Sequence, residues 1–163
     1  MSDVAAIDEA ATLYYSLVDR AWRLGSLRYK LDRTQRQLYD WILTGEGKRK
    51  RFVIEAARRL GKSYLLLVFA IETALRHRNV RVNYAAPTVK AAREIAIPLI
   101  RQIVADAPED MRPEWRESTG HLECRNESFV AVFGADDEAQ ADRGRGTAAF
   151  ANVVDEGGFS PVL

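Results

Sequence analysis

The central part of the chain constrains its fold most strongly, because one short polar loop there lies between two apolar segments. The first segment, at residues 52–56, predicts a buried strand, and the second and longer segment, at residues 62–76, predicts a buried helix. The loop between them contains Arg-Arg-Leu-Gly-Lys-Ser at residues 58–63. A strand that leads through a loop into a helix is the repeating unit of α/β folds, and it predicts a largely parallel sheet.

The loop has the chemistry of a phosphate-binding site. Backbone N–H groups at a helix N-terminus point at one spot, and the helix dipole adds partial positive charge, so anions bind there. Gly61 lets the backbone approach a phosphate closely. Lys62 can reach the β- and γ-phosphates of a nucleotide, and the Ser63 hydroxyl can bind Mg²⁺. The usual pattern begins with glycine where this chain has Ala56, and an ordinary strand–helix turn is the alternative interpretation.

A second segment, at residues 152–156, has the form of an apolar strand that ends in two carboxylates. Asp155 would hold Mg²⁺ directly or through water. Glu156 would orient and deprotonate the attacking water, because phosphoryl transfer depends mostly on positioning and charge stabilisation. An isolated Asp-Glu pair would indicate a solvated turn. Combined with the upstream loop, it predicts a nucleotide triphosphatase.

The remaining elements are those of an α/β domain with one antiparallel hairpin. Helices are predicted at residues 4–24, 34–43, 62–76 and 88–107, with Thr34 and Thr88 as caps, Gly25 and Gly45 as terminators, and Pro98 as a bend. Strands are predicted at residues 52–56, 80–85, 122–125, 129–133 and 151–155, and a charged loop at residues 134–147.

Length and composition bound the class of protein. The 163 residues suit one domain of roughly 100–200 residues, with 47% hydrophobic and 29% charged content. No apolar run approaches the ~20 residues of a membrane span, and the first residues lack the features of a secretion signal. The single cysteine, Cys124, excludes an internal disulfide framework and is typical of a reducing cytoplasm.

The charge is unevenly distributed along the sequence. Between residues 20 and 62 there are 13 lysines and arginines against 4 aspartates and glutamates, a local charge of +9, although the whole chain carries +1. This basic sector could face the phosphates of a nucleotide or of a nucleic-acid backbone, or it could form solvated helix faces. The run at residues 48–51 has the same two interpretations.

These motifs, in this order, resemble the N-terminal ATPase domain of the large terminase subunit, the motor that packages DNA into tailed-phage capsids. The family often replaces the first glycine of its phosphate loop and keeps an arginine inside the loop, which Arg58 matches. Gln35 matches a glutamine that contacts adenine, although Gln37 stands two residues on. Arg145 matches an arginine ahead of the acidic strand. The resemblance covers about residues 28–160.

The resemblance implies a P-loop NTPase fold of the RecA-like type, with a mostly parallel sheet flanked by helices and incomplete at the C-terminus. It implies ATP and Mg²⁺ as cofactors, and a helical segment at residues 1–30 before a partial ATPase domain at residues 31–163. The resemblance implies that catalysis depends on Glu156, Lys62, Arg58 and Arg145, with Arg143 as a second candidate for an arginine finger. It implies that the nucleotide is bound by Gln35, Arg58, Arg59, Leu60, Gly61, Lys62 and Ser63. The Mg²⁺ ligands that it implies are Ser63 and Asp155.

The expected partners also come from the resemblance. They are double-stranded DNA, further terminase subunits in a ring, the small terminase and the portal. The resemblance implies no membrane partner, and it implies a location in the cytoplasm of a host cell that carries a phage or prophage. The family's coupling motif and nuclease domain have no counterpart before Leu163, and its coupling strand lies between the phosphate-loop strand and the acidic strand. We therefore expect a gap in the sheet and exposed edges that promote association, as in a fragment, a truncated gene product or a protein whose missing half comes from another chain.

Three other classes remain open. A helicase-like ATPase shares these motifs but would need a second similar domain. A small-molecule or nucleotide kinase would suit this length but needs an arginine-rich lid. A non-catalytic piece could bind nucleotide, DNA or motor subunits without turnover.

Overall fold

The computed structural model describes residues 2–45, 51–55, 60–136 and 148–155. Its helices are α1 (Ser2–Arg23), α2 (Arg33–Thr44), α3 (Lys62–Arg76), the short α4 (Val89–Ala91) and α5 (Ile97–Val104), with a 3-10 helix at Arg28–Lys30 and a π-helical turn at Ala92–Ala96. Its strands are β1 (Arg81–Ala86), β2 (Glu114–Arg116), β3 (His121–Glu123), β4 (Phe129–Gly134) and β5 (Ala151–Val154).

The five strands form one mixed sheet in the order β2-β3-β4-β1-β5. Strands β4 and β5 pair in parallel with the two edges of β1. Strand β3 pairs antiparallel with β4 on one side and with β2 on the other. The prediction of a mostly parallel sheet is therefore wrong, although the α/β class and the hairpin are confirmed. The reason is that the short turn between β3 and β4 can join only antiparallel neighbours, and the unpredicted β2 extends that hairpin.

The predicted strand at residues 52–56 is also wrong for the part that the structure describes, and Ala56 lies outside the described residues. Residues 51–55 have no regular structure and alternate between exposed and half-buried positions, with Val53 at 76% exposure. Phe52 packs edge-on against Trp41 of α2, with ring centroids 5.4 Å apart. A strand requires a hydrogen-bonded neighbour, and no described strand pairs with this segment.

The helix boundaries largely follow the sequence signals. Gly25 follows α1 with a φ of 58°, and Gly45 follows α2. However, Asp32 caps α2 in place of the predicted Thr34, because its side chain accepts the backbone N–H of Gln35 at 2.8 Å. Thr88 caps α4 as predicted, accepting the N–H of Ala91 at 3.0 Å.

The predicted helix at residues 88–107 is interrupted near Pro98 and ends at Val104. The N–H of Ile97 donates to the carbonyl of Ala92, five residues back, which defines the π-helical turn just before the proline. Proline lacks an N–H and its ring crowds the carbonyl four residues before it, so the extra residue in this turn relieves the conflict. The bend predicted at Pro98 is thus a π-helical turn.

Helix α3 is the centre of the core. It packs on β1, β4 and β5, while α2 and α5 pack against α3. The buried side chains of the core come from all of these elements, among them Leu67, Val68, Ile71, Val82, Ile100, Val130 and Val153. None of the described helices is long and apolar enough to cross a membrane.

The N-terminal segment is attached to this core. Trp22 is fully buried in the same cluster, and its Nε1 donates to Asp106 at 3.1 Å. The same carboxylate accepts Tyr29 Oη at 2.9 Å and Lys30 Nζ at 2.6 Å. Burial alone would raise the pKa of Asp106, but the hydrogen bonds from Lys30 and Tyr29 lower it, so the carboxylate stays ionised as an acceptor.

Candidate functional site

The N-terminus of α3 presents the predicted phosphate-binding residues. Gly61 precedes the helix in the left-handed region, with a φ of 72°, and its carbonyl accepts the N–H of Leu65 at 3.0 Å. Lys62 and Ser63 are the first two helical residues, and both are half-buried. The first N–H groups of a helix have no partner within it, so this end of α3 can donate to an anion.

Asp155 directly follows β5, beside the end of β1. The Asp155 N–H donates to the carbonyl of Ala85 at 2.9 Å and so continues the parallel ladder one residue beyond the strand. The side chain is 7% exposed, and its Oδ2 accepts the hydroxyl of Tyr84 at 2.9 Å. Tyr84 therefore fixes the orientation of the carboxylate.

Ser63 and Asp155 meet in one pocket of about 70 Å³. The pocket is lined by both of these residues and Tyr84, with apolar groups from the end of β1 and from the π-helical turn around it: Ala86, Pro87, Ala91, Ile95 and Ala96. This volume has room for a metal ion with some of its waters, whereas a site for a whole ligand measures about 300 Å³ or more. The pocket thus has the volume of an ion site and not that of a site for a whole ligand.

The donors in the pocket suit Mg²⁺. A serine hydroxyl and one carboxylate are oxygen ligands, and Mg²⁺ usually takes one or two protein ligands, with water and substrate phosphates completing its octahedral shell. No group of three or more His, Cys, Asp or Glu side chains suited to a metal lies within the part of the chain that the structure describes.

Gln35 contacts the loop, not an open space beside it. Its Nε2 donates to the carbonyls of Leu60 and Gly61, both at 3.2 Å, and its Oε1 accepts the N–H of Asp32 at 3.0 Å. The side chain is 7% exposed. The structure thus brings together Gln35, Leu60 and Gly61 on one side of the α3 N-terminus.

Several predicted site residues cannot be related to this geometry. Arg58, Arg59, Arg143, Arg145 and Glu156 lie outside the described residues, and so does most of the loop predicted at residues 134–147. The site proper is therefore defined by the residues at the start of α3 and after β5.

Tyr84 is the site residue that sequence reasoning missed. It lies in β1, where residues 82–86 are all buried, so a tyrosine there indicates only core packing. The available signal was topological, because parallel strands bring their carboxyl ends to the same edge of a sheet, where ligands bind. Once β1 and β5 are neighbours, a hydroxyl at the end of β1 can reach Asp155.

The sequence matches no protein-family model, and no curated protein is significantly similar to it.

Proposed function

We propose that this chain binds ATP with Mg²⁺ at the edge of the sheet, as a P-loop NTPase. The observation that carries the proposal is that Ser63, at the start of α3, and Asp155, after β5, line the same pocket. These residues are 92 positions apart in the sequence, and two separate sequence motifs predict them as Mg²⁺ ligands.

The roles follow from the chemistry of each group. The N–H groups at the start of α3 and the Lys62 ammonium would hold the β- and γ-phosphates, and the Ser63 hydroxyl would bind Mg²⁺. Asp155 would hold the ion directly or through water, with its orientation fixed by Tyr84. Mg²⁺ would neutralise charge that develops on the phosphates during transfer.

We further propose that the nucleotide is hydrolysed and that this chain is the ATPase part of a phage DNA-packaging motor. The support is the order of motifs that resembles the large terminase subunit: Gln35, Arg58, the loop lysine, Arg145 and the acidic pair. Glu156 would orient the attacking water, and Arg58 and Arg145 would stabilise charge on the γ-phosphate. Double-stranded DNA, other motor subunits, the small terminase and the portal are the partners that this function requires.

Phosphate release with and without duplex DNA tests hydrolysis. Replacing the Glu156 carboxylate by an amide removes the base, so we expect Glu156→Gln to lower the rate by about 100-fold or more while ATP binding stays within about twofold. Glu109→Gln, which changes an exposed residue, should leave the rate unchanged.

Each other result has a distinct meaning. Binding without phosphate release by the wild-type chain would favour the non-catalytic class. Stimulation by single-stranded but not duplex DNA would favour a helicase-like ATPase. An unchanged rate in Glu156→Gln would contradict the role of this residue.

A further inference from the structure

Every polar atom of the Gln35 side chain is bound to backbone. Nε2 donates to the carbonyls of Leu60 and Gly61, and Oε1 accepts the N–H of Asp32. The partners also fix which amide atom is which, because the two carbonyls require a donor and the Asp32 N–H requires an acceptor. To recognise the edge of a nucleotide base through two hydrogen bonds, Gln35 would need its Nε2 as a donor, and this group is already bound to the loop carbonyls.

The carbonyls that Gln35 holds stand directly before Lys62. In a trans peptide unit the C=O and N–H bonds point in opposite directions. Fixing the carbonyls of Leu60 and Gly61 therefore also fixes the N–H groups of Gly61 and Lys62, which belong to the same two peptide units. These N–H groups are directed away from the glutamine, as an anion at the helix N-terminus requires.

Gly61 shows how close this contact is. A Cβ at this position would collide with Nε2 of Gln35, and the φ of 72° is one that side-chain-bearing residues rarely adopt. The same glutamine completes the capping box of α2 through Asp32. Helix α2 and the loop before α3 are thus joined through a single side chain.

We infer that Gln35 is a positioning residue for the phosphate loop, and that the site therefore selects the triphosphate and does not discriminate adenine from guanine through this residue. The inference rests on the proposed nucleotide site and makes its specificity explicit. It also replaces the adenine contact that the family resemblance implied for Gln35.

The test compares three probes with Mg²⁺ by calorimetry: a non-hydrolysable ATP analogue, the corresponding GTP analogue and inorganic tripolyphosphate, which has no base. In Gln35→Glu the carboxylate still accepts the Asp32 N–H and keeps the capping box, but it has no donor for the two carbonyls. We expect about tenfold weaker binding of all three probes, because two hydrogen bonds that hold the loop are lost.

Two controls separate positioning from a general effect on the fold. Gln37→Ala, two residues on and exposed, should change none of the three affinities. Thermal unfolding followed by circular dichroism shows whether Gln35→Glu remains folded. Gln35→Met is measured in every case, because it keeps the length of the side chain without its polar atoms and without the negative charge that Gln35→Glu adds beside the phosphates. The same equal loss is expected for this variant.

Equal weakening of the three probes supports the inference. Weakening of the ATP analogue alone, with tripolyphosphate unchanged, would mean that Gln35 contacts adenine and would overturn it. Unchanged affinity for all three probes in a folded variant would also overturn it. If the wild-type chain binds none of the probes, the proposed nucleotide site itself fails, and the inference fails with it.

Discussion

Lys62→Ala is expected to weaken binding of Mg²⁺ with ATP by about 100-fold or more. Lys62 is the first residue of α3, next to the N–H groups that would receive the phosphates. Its ammonium would be the only side-chain charge that the first turn of α3 brings to a triphosphate. Loss of a charge-assisted contact of this kind costs about 2–5 kcal/mol, and every 1.4 kcal/mol is about tenfold in affinity.

Isothermal titration of the two chains with a non-hydrolysable ATP analogue measures this change. Lys90→Ala is the matched control, because Lys90 is an exposed lysine on α4 and should leave the affinity within about twofold. Equal affinities of the wild-type chain and Lys62→Ala would remove the phosphate-loop assignment.

Glu72→Ala is expected to lower the free energy of unfolding by about 3–5 kcal/mol, because it removes a buried carboxylate and leaves two buried donors, the Leu27 N–H and the Tyr39 hydroxyl, without their acceptor. Glu72 is 2% exposed on α3. It accepts the N–H of Leu27 at 2.7 Å and the hydroxyl of Tyr39, and pairs with Arg76 at 2.5 Å. Burial and the bond to Glu72 raise the pKa of Tyr39, which keeps the hydroxyl protonated as a donor.

Urea unfolding of the wild-type chain and of Glu72→Ala measures this loss. The loss is large compared with the total free energy of unfolding of a typical domain, which is about 5–15 kcal/mol. Glu117→Ala is the control, since the Glu117 side chain that pairs with Arg101 is 71% exposed. Exposed ion pairs contribute about 0–1 kcal/mol to the free energy of unfolding. Similar unfolding midpoints for Glu72→Ala and Glu117→Ala would contradict a network that joins α2, α3 and the segment after α1 through Glu72.

The elements that local patterns determine could be predicted from the sequence. Helix α3 has the predicted bounds, because its apolar spacing and the preceding glycine are local signals. The hairpin of β3 and β4, the cap at Thr88 and the strand before Asp155 follow from equally local signals. The π-helical turn was foreseeable only as a bend at Pro98.

The failures concern features that depend on distant partners. Residues 52–55 have the composition of a strand, but a strand exists only where another lies beside it, and sequence pattern does not supply that neighbour. The mixed sheet arises because β3 pairs with the free edge of β4. Asp32 displaced Thr34 as the cap because its carboxylate reaches the N–H of Gln35, a difference of two residues that composition alone leaves open.

For the site, sequence reasoning identified residues but not their contacts. It singled out Ser63 and Asp155 from separate motifs, and the structure places them in one pocket. The family resemblance implied an adenine contact for Gln35, and the structure shows that its side chain is bound to the carbonyls of Leu60 and Gly61. Tyr84 had no signal of its own. Side-chain roles of this kind depend on tertiary neighbours, which only the fold supplies.

The Mg²⁺ dependence of nucleotide binding tests the central claim most directly. A non-hydrolysable ATP analogue is titrated into the wild-type chain and into Asp155→Asn, each with and without Mg²⁺. The amide oxygen of the variant can still accept the Tyr84 hydroxyl, so the change is mainly one of charge.

We predict that Mg²⁺ strengthens binding to the wild-type chain by about tenfold or more, and that Asp155→Asn loses most of this gain while metal-free binding is unchanged or slightly stronger. The same Mg²⁺ effect in both chains would contradict a metal site between Ser63 and Asp155.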